Sequence, residues 1–405
     1  MSMINVVNLH ELQKGHQDSI LFDLNGMRNQ YNILANALPD LDIRFAIKSC
    51  AVSSVLETLA SCGAGFDAAS VTEIEMALAA GGDINRIHFG NTIKSNSQIR
   101  TAYDLGIRDF ASDSIDDIRA IAFNAPESRV FCRIATDGKG AVYGLSRKFG
   151  SSDSSAIRNL IEAKRLGLVP AGISVHVGSQ QMTESAWINI FKKINKILIK
   201  LQRSGIELEY INLGGGLPAD GYSDKSGKRL KPPRDKIFSA IQAGMQDMRD
   251  SLGYPIKFIM EPGRYIVADH GIIRASVLRL SERVQPDGTI QKWLFLSCGR
   301  FNGLYETDAL RYKMVFPRSQ SDEFCKAVIA GPTCDSDDVF NDEDNVIPVP
   351  KDLRSGDPVW ILSCGAYSTS YMTTGFNGFA PLPHVFIGNN TSENCIDIGT
   401  RKKVS

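Results

Sequence analysis

Between residues 43 and 260 the sequence returns eight times to one unit: a short apolar or β-branched run, a glycine or polar residue, then an amphipathic stretch of helical period. The runs are IRFAI (43–47), GAGFD (63–67), RIHFG (86–90), IRDFA (107–111), RVFCRI (129–134), AGISVHV (171–177), LEYINL (208–213) and IKFIM (256–260). Strands separated by helices do not pair as hairpins; they run parallel and need their faces covered. Eight of them in about 220 residues fit a closed (β/α)8 barrel of the TIM type better than an open doubly wound sheet. The fold class expected is therefore α/β, with a barrel over residues 27–265.

After residue 266 the period changes. GIIRASVLRL, KWLFLSC, CKAVIAG, DPVWILSC and HVFIG are strand-like runs separated by turns, with little helical period, and predict a C-terminal, mainly β domain over 266–405. The polar segment 219–234, rich in Gly, Pro and charge, reads as a surface loop on the barrel. A chain of 405 residues has room for both domains.

Several classes of function are disfavoured. The 45 basic residues balance 45 acidic ones and form no long cluster, so nucleic acid is not an expected partner. No apolar run approaches the roughly 20 residues that span a bilayer, and the first residues lack the pattern of a secretory signal, so the expectation is a soluble, cytoplasmic protein without a membrane role. Cysteines 50, 62, 132, 298, 325, 334, 364 and 395 form no C-x-x-C pair and read as free thiols, with no metal site and no disulfide framework.

In such a barrel, chemistry sits at the C-terminal strand ends, here carrying Lys48, Asp67, Asn91, Ser112, Arg133, His176, Gly214 to Gly216 and Glu261. Lys48, in FAIKSC, is either a lysine tuned for Schiff-base chemistry or a structural one snorkelling from a strand end. LGGGLP (213–218) lets bare backbone N–H groups approach a phosphate, or makes a tight turn. In EPGRY, Glu261 and Arg264 could hold a pyridinium nitrogen and a phosphate, or pair with each other. His176 could stack on a flat ring beside a phosphate-binding Ser179, or be a core histidine. In GPTCDSDD, Cys334 could donate a proton and Asp335 hold an ammonium, or the stretch is an acidic turn. Tyr367 offers a phosphate-binding hydroxyl or simply packs in the β domain.

Taken in order, FAIKSC, GFDAAS, RIATD, KFG, HVGSQ, LGGGLP, EPGRY, GPTCDSDD and GAYSTSY…FNGF resemble the ornithine, lysine and diaminopimelate decarboxylases, a fold-type III pyridoxal-phosphate family with the alanine-racemase-type fold. The resemblance spans about residues 20–385. It implies a barrel that binds pyridoxal 5'-phosphate, a β domain to which residues 1–26 also contribute, and a homodimer with shared active sites. It implies Lys48 as the cofactor lysine, His176 stacked on the ring, Glu261 at the pyridine nitrogen and Arg133 supporting that acid. Ser179, Gly214, Gly215, Gly216, Arg264 and Tyr367 would bind the phosphate, with Asp67 and Glu73 near the lysine. Lys148 in KFG would make an ion pair between subunits. Cys334 would return a proton to the carbon that loses CO₂, and Asp335 would bind the far amino group of the substrate.

An aspartate at 335 points to a diamino monocarboxylate rather than diaminopimelate. The reaction implied is that of a carboxy-lyase acting on ornithine, giving putrescine, or lysine, giving cadaverine, in polyamine biosynthesis. SCGRFNGLYET (297–307) departs from the eukaryotic ornithine enzymes, which carry an acid there, and is closer to bacterial lysine/ornithine decarboxylases. Arg300 in that stretch leaves room for a modified, anionic substrate of a specialised pathway. An amino-acid racemase and an inactive regulatory relative are the rival readings. The first needs a catalytic tyrosine opposite the lysine, and the second is disfavoured by the presence of Lys48, His176, Glu261 and Cys334 together.

Overall fold

The computed structural model describes residues 17–145, 147–340, 346–388 and 396–397. These residues form two compact units, each with its own core.

The first unit comprises Arg28–Pro218 and Lys231–Ile266. Its strands, Leu41–Ala46, Gly65–Ala68, Ile87–Phe89, Asp109–Ser112, Arg129–Arg133, Val169–Ser174, Tyr210–Asn212 and Lys257–Met260, form a closed barrel. Each pairs in parallel with its neighbours, and Phe258 to Met260 close the ring against Leu41 to Ile43. All eight apolar runs of the sequence contribute to these strands. Serine starts four of the intervening helices. Ser70, Ser95, Ser114 and Ser152 each accept the N–H of the residue three positions on, ahead of Val71–Ala79, Asn96–Asp104, Ile115–Asn124 and Asp153–Arg165. Such caps satisfy orphan donors at the point where chain must turn from strand to helix. The helix Ser185–Arg203 buries Trp187, Ile190, Phe191, Ile194, Ile197, Leu198 and Leu201, one stripe at helical spacing. Inside the barrel, Ala111, Phe131, Ala171, Tyr210 and Ile259 form a tight core cluster.

The second unit joins the described N-terminal residues to Ala219–Leu230 and to the chain from Val267 onward. Its main feature is a nine-stranded sheet built on the long strand Gly271–Val284, which pairs antiparallel with Ser19–Asp23, Ile290–Leu296 and Pro358–Leu362. Ser19–Asp23 also pairs in parallel with His384–Ile387. Leu21, Ile272, Trp360 and Val385 pack as one cluster. This is the mainly β domain read from the change of period after residue 266. The N-terminal residues 1–16 and Cys395 lie outside the described residues.

One sequence reading is corrected. Residues 219–230 are not a loop on the barrel, because they belong to the sheet unit. Tyr222 is fully buried there, its ring set edge-on to Tyr312 and its hydroxyl donating to the Ser363 carbonyl. Tyr222–Ser223 pair with Arg311–Tyr312, and the Asp269 carboxylate accepts the N–H groups of Asp220 and Gly221. Polar composition correctly marked a break in the barrel but carried no information about which core its one aromatic enters. Among the described residues no helix is long and apolar enough to cross a membrane.

Candidate active site

The C-terminal mouth of the barrel opens a cavity of about 580 Å³, lined by Lys48, Asp67, Asn91, Arg133, Arg147, Lys148, His176 and Glu261 among others. Apart from Arg147 and Lys148, which follow Ala141–Tyr143 outside the barrel sheet, each of these ends or follows a barrel strand, so the barrel itself sets most of the ring. Lys48 lies on a single 3-10 turn, Ile47–Ser49, pinned by the Ser49 hydroxyl donating to the Ala46 carbonyl. Its ammonium contacts Asp67 Oδ2 at 3.0 Å, with nearly half of the lysine side chain open and the aspartate side chain only 3% exposed. Burial alone would raise the Asp67 pKa, but the Lys48 charge and a hydrogen bond from His88 outweigh it and hold the carboxyl well below the usual range.

Glu73 sits on the next helix and accepts the Ala69 N–H at 2.6 Å, fixing the loop behind Asp67. His176 follows Val169–Ser174. Burial first, then the nearby charges of Arg133 and Lys48, lower its pKa to about 3, so the ring is neutral at physiological pH.

Opposite the lysine, Asn212, Gly214 and Glu261 lock together. Asn212 Nδ2 donates to Glu261 Oε1 at 2.5 Å, its Oδ1 accepts the Gly214 N–H at 2.9 Å, and Glu261 N–H donates to the Gly214 carbonyl at 2.9 Å. Gly214 holds φ +64°, and a Cβ there would fall 1.9 Å from the Val175 carbonyl oxygen. At Gly215 a Cβ would meet the Glu261 carbonyl oxygen at 2.9 Å, and at Gly216, with φ +116°, the Gly178 carbonyl oxygen at 2.6 Å. The three glycines are thus required by close backbone approach. Nearby, buried Arg264 donates to Ser179 Oγ from Nε at 3.2 Å and from Nη2 at 3.3 Å.

Arg133 and Lys148 both line the cavity. Among the described residues Arg133 makes no ion pair with Glu261; its guanidinium lies over the Phe149 ring, 5.1 Å from the centroid. Lys148 is exposed at the cavity mouth, 4.9 Å from the same ring. Cys334, Asp335 and Tyr367 belong to the sheet unit. There Cys334 is exposed and donates its N–H to Asn377 Oδ1, while Asp335 Oδ1 accepts the Asp337 N–H. Tyr367 takes φ +60° and faces Tyr371 with ring centroids 6.2 Å apart. The acid that organises this loop is Asp338, buried and accepting from Arg300 N–H, Thr333 N–H and Thr333 Oγ1.

Sequence reasoning missed the floor of the cavity. His88, fully buried in the centre of RIHFG, places Nε2 at 3.1 Å from both Asp67 Oδ1 and Glu261 Oε1, and Nδ1 at 3.0 Å from Arg44 Nη1. Arg44 also donates to Asp42 and Asp109, and Asp109 accepts the Tyr210 hydroxyl at 2.6 Å. Burial and the Arg44 charge oppose a protonated His88 ring while the hydrogen bonds to Asp67 and Glu261 favour one; because Arg44 can offer Nδ1 only an N–H, the contact holds the ring neutral. Asp67, His88 and Glu261 bring metal-ligand atoms within 4.8 Å of one another, yet these atoms already share direct hydrogen bonds that an ion would have to replace. The available signal was a histidine at the centre of a strand whose ends are apolar.

A lysine against a buried carboxylate, a neutral imidazole, a glycine cradle and an acid with one free oxygen suit a flat, phosphorylated cofactor that bonds an amine. The family model for the pyridoxal binding domain of pyridoxal-dependent decarboxylases matches residues 24–268, and that for the C-terminal sheet domain matches 227–365. A decarboxylase from Aspergillus flavus, flvG, is 27% identical over 89% of this chain and 83% of its own length. The lysine/ornithine decarboxylase of Selenomonas ruminantium is 27% identical over 90% of this chain and 88% of its own. The crystal structure of lysine/ornithine decarboxylase from Vibrio vulnificus, complexed with putrescine, superposes with a TM-score of 0.79 at 27% identity, covering 94% of this chain and 97% of that one. With more than half its length matched by the family's cofactor-binding domain, and that domain folded as the barrel that gathers these groups, the chain belongs to the pyridoxal-dependent decarboxylases.

Proposed function

We propose that the protein removes the carboxylate of a basic amino acid, ornithine or lysine, and that Lys48 carries the cofactor. The observation that carries this reading is the Lys48–Asp67 pair, 3.0 Å apart, in one cavity with His176 and Glu261.

The residues fit pyridoxal phosphate. The cradle of Gly214 to Gly216 brings bare backbone where any Cβ would intrude, and Arg264 with Ser179 adds charged and hydroxyl donors for a phosphate. On the family resemblance Tyr367 would add a hydroxyl to the phosphate's partners. When bound, the cofactor supplies an electron sink for the pair released as CO₂ leaves. Asp67 holds Lys48 in place, and neutral His176 would lie against the cofactor ring without adding charge. Glu261 has Oε1 occupied by Asn212 and His88, which leaves Oε2 for the ring nitrogen. Cys334 holds the proton that replaces CO₂ on carbon, and Asp335 accepts the distal ammonium.

The same reading makes the enzyme a homodimer in which Cys334 and Asp335 serve the partner's barrel, with Lys148 pairing across subunits. Mixing inactive Lys48→Ala with inactive Cys334→Ala should then restore part of the activity, and a strictly monomeric, active protein would refute it. A second reading, a diamino acid bearing an extra anion, is favoured by Arg147 and Lys148 lining the cavity mouth. The test is CO₂ release from cofactor-loaded protein with L-ornithine, L-lysine, arginine and diaminopimelate. Turnover of ornithine or lysine that disappears in Lys48→Ala supports the first reading; turnover only of substrates with an added carboxylate or phosphate supports the second.

A further inference from the structure

We infer that His88 is a positioning residue that aims both carboxylates of the site, Glu261 toward the cofactor nitrogen and Asp67 toward Lys48. The inference rests on the reading of this cavity as the cofactor site. It starts from donors and acceptors. A guanidinium only donates, so the 3.0 Å contact from Arg44 Nη1 to His88 Nδ1 requires a lone pair on Nδ1. Arg44 is held for this purpose by Asp42 at 3.1 Å and Asp109 at 3.2 Å, and Asp109 is itself fixed by the Tyr210 hydroxyl. The ring hydrogen therefore sits on Nε2, where it is shared between Asp67 Oδ1 and Glu261 Oε1, each 3.1 Å away.

Each carboxylate is thus engaged on one oxygen by His88 and turns the other to its task. Asp67 gives Oδ2 to Lys48, and Glu261 is left with Oε2, which accepts no hydrogen bond among the described residues. A protonated His88 would set an N–H against the Arg44 N–H in a site where both are buried, an arrangement with no acceptor between two like charges. The charged groups that face the ring are Arg44 from the first barrel strand, Asp67 from the second and Glu261 after the eighth; Lys48 lies beyond Asp67, and Asp109 beyond Arg44. A buried ionic column of this kind is a costly way to fill a barrel and needs a purpose beyond packing.

The test uses the cofactor-loaded enzyme and needs no substrate. Nitrogen NMR of histidine-labelled protein at about pH 7, where an unperturbed imidazole is mostly neutral, should show His88 with one hydrogen, on Nε2. An Nδ1–H tautomer or an imidazolium would overturn the inference. In parallel, the absorbance of the bound cofactor is titrated with pH. His88→Leu should move its midpoint by about one pH unit, a ten-fold change in proton affinity, and His88→Gln, which keeps a donor for the carboxylates, should return most of it. Both variants loading the cofactor and titrating as the wild type would overturn the proposal, and should His88→Leu not fold, His88→Gln and the NMR decide. If ornithine and lysine are not turned over by the wild type, the substrate reading fails while these spectra still judge His88.

Discussion

The two ends of the cofactor site are built by opposite means. At the end proposed for the phosphate the protein uses backbone: three consecutive glycines whose missing side chains allow carbonyls within 1.9 to 2.9 Å of where a Cβ would be. At the ring end it uses side chains in or just after five strands, with Arg44, Asp67, His88, Asn212 and Glu261 joined through hydrogen bonds between residues far apart in sequence. The first tolerates no substitution but also makes no choice of charge. The second sets charge and orientation and can be altered in steps. Binding should therefore follow the cradle, and turnover the floor.

The sharpest way to break that division is Gly214→Ala. Its Cβ would collide with the Val175 carbonyl at a backbone angle that L-residues rarely take, so cofactor affinity should fall by about a hundred-fold or more. A spectroscopic titration showing near-normal affinity would remove the cradle from its role. Next in size is Glu261→Gln. Here kcat should drop by roughly a hundred-fold with cofactor affinity within a few-fold of the wild type, because the lost group acts on the ring's electronics more than on binding. Equal losses in both would erase the distinction between the two ends. Asn212→Ala removes one of two donors from Glu261 Oε1, and the expected cost in kcat is about ten-fold, the worth of one hydrogen bond to a charged group.

The smallest effect concerns pH. His176 titrates at about 3 in the folded protein against 6.5 for the free ring. Between those values the unfolded chain binds a proton that the folded one does not, so this residue's contribution is complete above about pH 6.5 and declines as pH falls. The slope is at most about 1.4 kcal/mol per pH unit and smaller in practice, because the ring is partly open to the cavity. Denaturant melts of the cofactor-free protein across this range, compared with His176→Asn, should show a shallower slope in the variant.

The same contrast governs what was legible in the sequence. Gly214 to Gly216, Lys48 and Glu261 stand in short motifs at the ends of strands, so local reading located them, and the structure gathers Lys48, Asp67, Arg133, Lys148, His176 and Glu261 around one cavity. The eight strands were legible because a parallel strand covered on both faces must be apolar along its length. His88 and Arg44 were not, since their meaning lies in partners such as Asp67, Asp109 and Glu261, distant in sequence, that only the folded barrel brings together. Alternation tells which way a side chain points but not what it meets. The segment 219–230 failed for a related reason: polar, Gly-rich chain announces a surface, yet one buried tyrosine decides to which core it is tied.

The pairing of Ser19 to Phe22 with Arg274 to Gly271 has a consequence for the protein's birth. At ribosomal speeds of about 5–20 residues per second, the apolar segment SILFD waits on the order of ten seconds or more before its first sheet partner has been made. Throughout that interval a complete barrel sequence can emerge and fold, while this strand, which belongs inside the sheet, remains unpaired. Chaperone dependence and aggregation of nascent chains should accordingly concentrate at this N-terminal strand, and release of stalled chains just before and just after residue 284 would bracket the moment at which the hazard ends.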